Sequence, residues 1–146
     1  MPRDTSRTMS EAQSELVRKT FAAAARAISG ESPEDLHRLL DAGVEWLPIN
    51  AALEGAPYRG HEGVRRWTDE MSRDWEAFEA LPTEFRDLGG ERLLALGTWR
   101  ARGRSSGVEL DSQPAAWLIQ FRNQKIVRMQ TFTDRAKALK AAGLSE

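Results

Sequence analysis

The last third of the chain, from Glu91 to Leu144, holds three alternating runs, ERLLALGTWRARG, VELDSQPAAWLIQF and KIVRMQTFT, with turn residues between them. A period of two marks strands that bury one face, and short connections between such strands make an antiparallel meander. A capped segment from Asp134 to Gly143 closes this region and predicts a short helix. The preceding half reads as helices. Helices followed by a meander predict an α+β fold, with a curved antiparallel sheet packed on three helices of the N-terminal half.

Helical spacing begins near Ser10, where Ser10 and Gln13 fit a capping box, and continues through Val17, Phe21, Ala24, Ala25 and Ile28 to Gly30. Residues 1–9 are polar and aperiodic and read as a disordered tail, leaving 10–146 as one domain. Ser32, Pro33, Glu34 and Asp35 open a second helix, with Leu36, Leu39 and Leu40 inward and Gly43 as its stop. Strand VEWLPI follows, then the turn-rich NAALEGAPYRG. A third helix is predicted to carry Val64, Trp67, Met71, Trp75 and Phe78 on one stripe, with charges of alternating sign on its other face. Pro82 then begins a strand, TEFRDL, and Gly89-Gly90 turns the chain into the meander.

The balance of 21 basic against 22 acidic residues leaves a net charge of −1. That gives no field to gather nucleic acid or an anionic membrane, and neither is expected as a partner. No run approaches the apolar length of a membrane span and the N-terminus lacks a secretory pattern, so the cytoplasm is the expected compartment. With no cysteine, and with His37 and His61 far apart in sequence, no metal site is predicted, and no phosphate loop or dinucleotide fingerprint implies a cofactor.

Strand parity sorts the meander into two faces. Leu93, Ala95, Gly97, Trp99 and Ala101 share one face with Trp117, Ile119 and Phe121 and with Val127, Met129 and Thr131. This is the set expected to face the helices. Small residues beside Trp99 and Trp117 predict a sheet that curls around space. Ile126, Phe132 and Leu118 fall on the opposite face, which is apolar enough to predict a homodimer through it. Arg100, Arg102 and Arg104 also lie there and are expected to pair with acids such as Glu84 or to meet a second subunit.

The segments YRGHEGVRRW, GRSSGVEL and KIVRMQTFTDRAKALKAAGL resemble the nuclear transport factor 2-like superfamily, and specifically its SnoaL-like, ketosteroid isomerase-like branch. The resemblance covers about residues 11–144 and implies a cystatin-like, cone-shaped α+β roll whose mouth admits a small, often hydrophobic molecule. It implies no single reaction. Where ketosteroid isomerases of this family carry a general-base aspartate and an oxyanion-stabilising aspartate, this chain has Trp46 and Trp117, and Phe21 stands near their helix-one tyrosine. Indole offers neither base nor acid for moving a proton between carbons. The Asp-Arg-Asp cluster of limonene epoxide hydrolases falls near Leu93, Ala95 and Thr131.

What remains is an aromatic lining. The candidate ligand pocket comprises Trp46, Tyr58, Trp67, Met71, Trp99, Gln113, Trp117, Met129 and Thr131, in which Tyr58, Gln113 and Thr131 supply the polar handles. The competing reading is that the tryptophans fill the core, Trp75 first among them. Glu109 and Asp111 share parity with Trp117 unless a bulge intervenes, and with Tyr58 they are the weak candidates for proton transfer in an isomerase or cyclase. Two functions stay open: a SnoaL-like protein that binds or converts a small ring-containing hydrophobic molecule, and a non-catalytic dimeric scaffold.

Overall fold

The computed structural model describes residues 9–49 and 56–144. Residues 1–8, which make up nearly all of the expected tail, and the whole NAALEG stretch lie outside the described residues. Helix α1 spans Met9–Ile28 and is followed by the short α2, Glu34–Leu39. Strands β1 (Leu40–Leu47) and β2 (Tyr58–Arg59) precede helix α3 (Gly60–Asp74). Four long strands then run as β3 (Trp75–Gly89), β4 (Arg92–Gly103), β5 (Glu109–Arg122) and β6 (Lys125–Phe132), and α4 (Arg135–Ala141) follows. The fold is α+β, as the alternation predicts.

All six strands form one sheet in the order β2-β1-β6-β5-β4-β3. Every pairing is antiparallel except that of β1 with β6. Register shifts interrupt four of these pairings, and bulges of this kind bend a strand and increase its twist. The result is a curved, unclosed sheet. Gly97 sits where the curl is tight: a Cβ there would lie 2.2 Å from the Leu81 carbonyl oxygen, so only glycine lets β3 approach.

Helices α1 and α3 lie on the concave face. Val17, Phe21, Ala24 and Ile28 of α1 and Val64, Trp67 and Met71 of α3 join Leu93, Ala95, Trp117, Ile119, Phe121 and Met129 in one buried cluster. A second cluster lies on the convex side, where Ala138, Leu139 and Ala142 cover Leu94, Leu96, Ala116 and Leu118. Asp134 caps α4 by accepting from the Ala136 and Lys137 amides, and Gly143 ends it at φ +80°.

Several expectations give way to longer-range contacts. Helix α1 already includes Met9, so Ser10 is helical, and Gln13 turns inward with its Oε1 unpartnered instead of closing a capping box. Helix α2 stops before Gly43 because Leu40 pairs with Ile126. Helix α3 ends at Asp74, so Trp75 and Phe78 belong to β3, which begins well before Pro82 and pairs with β4 along nearly its whole length. Arg104 secures that helix end, its amide donating to the Asp74 carbonyl and its guanidinium to the Ser72 carbonyl, each at 2.9 Å. Ile126 faces the helices, not the convex side, because a bulge in β6, with Val127 as the extra residue, sets Phe121 opposite it. Leu118 and Phe132 stay convex but pack with α4. The apolar surface that prompted the homodimer expectation is therefore largely covered within the chain, and among the described residues Val108, 50% exposed, is the large hydrophobic side chain left in water.

Candidate functional site

Between the concave face and α1 lies a narrow cavity built from both halves of the chain. Phe21, Ala24, Ala25 and Ile28 descend from α1 and Trp67 from α3. The sheet contributes Trp46, Phe78, Ala80, Trp99, Trp117, Met129 and Thr131, and Pro48 and Ile49 complete the lining. Register explains the grouping, since Trp46 pairs with Met129 across β1 and β6, and Trp117 with Thr131 across β5 and β6. The empty space is about 440 Å³ including the mouth, but only about 40 Å³ can be reached by the centre of a water molecule. A single water needs roughly 10–15 Å³ by that measure. The walls thus stand close together.

The walls are ring pairs. Trp46 and Trp67 meet at 5.4 Å between centroids and Phe21 and Trp117 at 5.1 Å, both tilted by 56°. Phe78 stacks on Trp99 at 5.2 Å and 20°, and both remain partly exposed. Tilted and offset pairs are the favourable arrangements of aromatic quadrupoles. Among the lining side chains none is ionisable. The Thr131 hydroxyl donates to the Met129 sulfur at 3.4 Å, a weak acceptor, and the indole N–H groups of Trp46 and Trp67 are buried without acceptors among the described residues.

Six of the pocket candidates, Trp46, Trp67, Trp99, Trp117, Met129 and Thr131, meet at this cavity. Met71 is buried in the adjoining core without lining it. Tyr58 packs at the edge of that core, its hydroxyl donating to Glu70 Oε1 at 2.6 Å and the Arg66 guanidinium lying over its ring. Gln113 pairs in register with Trp99, but its side-chain amide donates to the Asp111 carbonyl. Trp75, read as the first core filler, is only partly buried and sits edge-on to Phe78.

For Glu109 and Asp111 a bulge does intervene. Trp99 pairs with Gln113 but Ala101 with Leu110, and Ser112 takes up the extra residue at φ +53°. Parity is reset there. Glu109 comes opposite Arg102 and binds its guanidinium at 3.0 Å, and both carboxylate residues border an outer groove with Arg100 and Arg102. Arg100 pairs with Glu79 at 2.8 Å, while Glu84, the expected partner of this row, binds Arg86 instead. Further along the sheet, hydrogen bonds from Arg59 and then Arg128 hold the Glu45 carboxyl below its usual pKa.

The sequence reading missed Phe78 as a wall because it placed that residue on a helix. It also missed the histidines' proximity: His37 and His61 stack at 5.1 Å and 6°, with His61 Nε2 2.9 Å from the Leu40 carbonyl. Burial, then His61 and Arg65, lower the pKa of His37. Among the described residues no group of three or more metal-ligating side chains comes together, and no helix is long and apolar enough to cross a membrane.

The sequence matches no protein-family model and no curated relative. The fold does have solved counterparts. An NTF2-like protein of unknown function from Burkholderia pseudomallei superposes with a TM-score of 0.67 at 21% identity, covering 88% of this chain and 95% of its own. TerC, co-crystallised with polyporic acid, gives 0.67 at 18% identity over 90% and 98% of the two chains. A protein with a ketosteroid isomerase-like fold from Catenulispora acidiphila, in complex with trimethylamine, gives 0.64 at 21% identity over 86% and 93%. SnoaL-like proteins are also among the structures matched. The chain therefore has the NTF2-like, ketosteroid isomerase-like fold.

Proposed function

We propose that this chain binds a small hydrophobic, ring-containing molecule between the indoles of its concave face. The observation that carries the reading is the lining itself: flat aromatic walls with no ionisable side chain among them. Such a slot rewards a flat apolar guest through area removed from water and offers a charged one nothing to pair with. Small molecules accompany two proteins of this fold, TerC and the Catenulispora acidiphila protein, which supports a guest in the same kind of fold.

The isomerase or cyclase alternative has less support. General acid–base catalysis needs its group within hydrogen-bond reach of the substrate. Glu109 and Asp111 border the outer groove, and Tyr58 is engaged by Glu70. The homodimer has also lost its apolar motive, and a dimer through the outer face would have to join surfaces rich in charged ladders.

The test is intrinsic fluorescence. Tetralin, a fused-ring hydrocarbon, is expected to quench saturably, and Trp99→Ala to weaken its binding by about tenfold, the loss of roughly one buried aromatic contact. A linear, non-saturating response to tetralin and to its ketone alike would overturn the proposal.

A further inference from the structure

We propose that Trp46 and Trp67 form a paired hydrogen-bond donor site, and that the molecule held in the cavity is a neutral one presenting a carbonyl-class oxygen to it. This rests on the binding reading above and narrows its ligand. Trp46 is 1% and Trp67 4% exposed, both wall the cavity, and among the described residues the Nε1 of each has no acceptor. Folded proteins seldom leave buried N–H groups unmatched, because such a donor has lost its water and gained nothing. Two of them on contacting rings mark a place where an acceptor belongs.

The rest of the lining fixes the polarity. An indole N–H only donates, and the nearby Thr131 hydroxyl spends its proton on the Met129 sulfur, a weak acceptor that an oxygen would readily replace. Among the described residues no carboxylate, imidazole or side-chain amide lines the cavity to receive a proton from the ligand. A guest whose polar group is an amine would find only the Thr131 hydroxyl oxygen among the described lining side chains to accept from it, and would leave both indole N–H groups unmatched. A carboxylate would be buried with no cation beside it, which is costly. A ketone, quinone or ester carbonyl brings lone pairs, carries no charge and lies in the plane of a flat ring system, so it meets both demands of the site.

The experiment compares α-tetralone with tetralin, which share a fused-ring skeleton and differ in the carbonyl. Binding is followed by fluorescence and by the proton–nitrogen correlation spectrum of the isotope-labelled chain, in which five tryptophans give five indole signals. α-Tetralone is expected to bind at least about tenfold more tightly, the factor of one net hydrogen bond. It should move the indole protons of Trp46 and Trp67 downfield, and tetralin should not. Trp46→Phe and Trp67→Phe should each reduce the affinity ratio toward unity; because both ligands are measured on the same variant, a general loss of stability cancels, and either variant suffices if the other fails to fold. Equal affinities in the unsubstituted chain, or a preference that survives both substitutions, would overturn the donor site while leaving the binding reading intact. If neither compound binds, both fall.

Discussion

On the concave face Leu93, Ala95, Trp117 and Ile119 meet two helices across a layer of aromatic rings, whereas on the convex face of the same strands Leu94, Leu96, Ala116 and Leu118 lie under one short helix. Beyond that helix the convex side is a lattice of exposed ion pairs, Arg100 with Glu79 and Arg102 with Glu109. Neither chemistry is mixed into the other. The concave side leaves space and unmatched donors, while the convex side leaves neither an apolar gap nor a lone arginine in that row. Exposed pairs of this kind contribute only about 0–1 kcal/mol each. Their lesson is one of tolerance: the charged side faces water, and the side that departs from good packing practice is the one proposed to meet a ligand.

The sharpest way to break this contrast is Leu139→Ala in α4. Leu139 is 1% exposed and lies at the centre of the convex cluster. Truncation should cost about 2–5 kcal/mol in chemical denaturation, yet leave tetralin quenching of the folded protein unchanged. A changed affinity would show that the faces are coupled. Gly97→Ala is expected to cost about 1–3 kcal/mol, since the new methyl on β4 must push β3 away at Leu81. Because the push opens the wall that carries Phe78 and Ala80, binding should weaken along with stability; an unchanged affinity would separate the curl of the sheet from the shape of the cavity.

The smallest effect is expected from His37, which belongs to neither face. Its folded pKa lies below the ordinary value of 6.5, so the unfolded chain takes up a proton first as pH falls. Stability should decline from about pH 7 downward and level off below the folded pKa. His37→Gln should flatten that part of the profile, with the tetralin affinity unaffected. A slope that survives the substitution would show that His37 is not its source; Glu45, whose pKa is also lowered, contributes stability that is lost only at lower pH, as its carboxylate becomes protonated.

Much of the fold was legible because it is written in periods. Parity alone placed Leu93, Ala95, Trp117 and Ile119 inward, and the Asp134 cap and Gly143 stop were readable as local chemistry. The failures occur where distant pairing overrides a local signal. Met71, Trp75 and Phe78 are spaced as on a helix, but β4 draws the last two into a strand, and Arg104, thirty-two residues after Ser72, secures the helix end. The bulge at Ser112 is announced only by Pro114 two residues on, a signal that parity alone passes over, and it moves Glu109 and Asp111 to the outer surface. For the candidate site the tryptophans could be named from strand parity and helical spacing. Their unmatched N–H groups could not, because an absent partner is a property of three-dimensional surroundings.

The parallel pairing of β1 with β6 also has a temporal consequence. Glu45 and Arg128 are joined across eighty-three residues, and Trp46 gains its neighbour Met129 only through the same pairing. A contact of that span forms slowly, since a long loop must be closed before it brings any gain. On the ribosome, the hairpin of β3 and β4 can zip while the remainder is still being made, but the indole of Trp46 has no wall to join until β6 emerges. The chamber is thus assembled late, and a chain cut short before β6 would lack Met129 and Thr131 from its lining and the strand that joins β1 to the rest of the sheet.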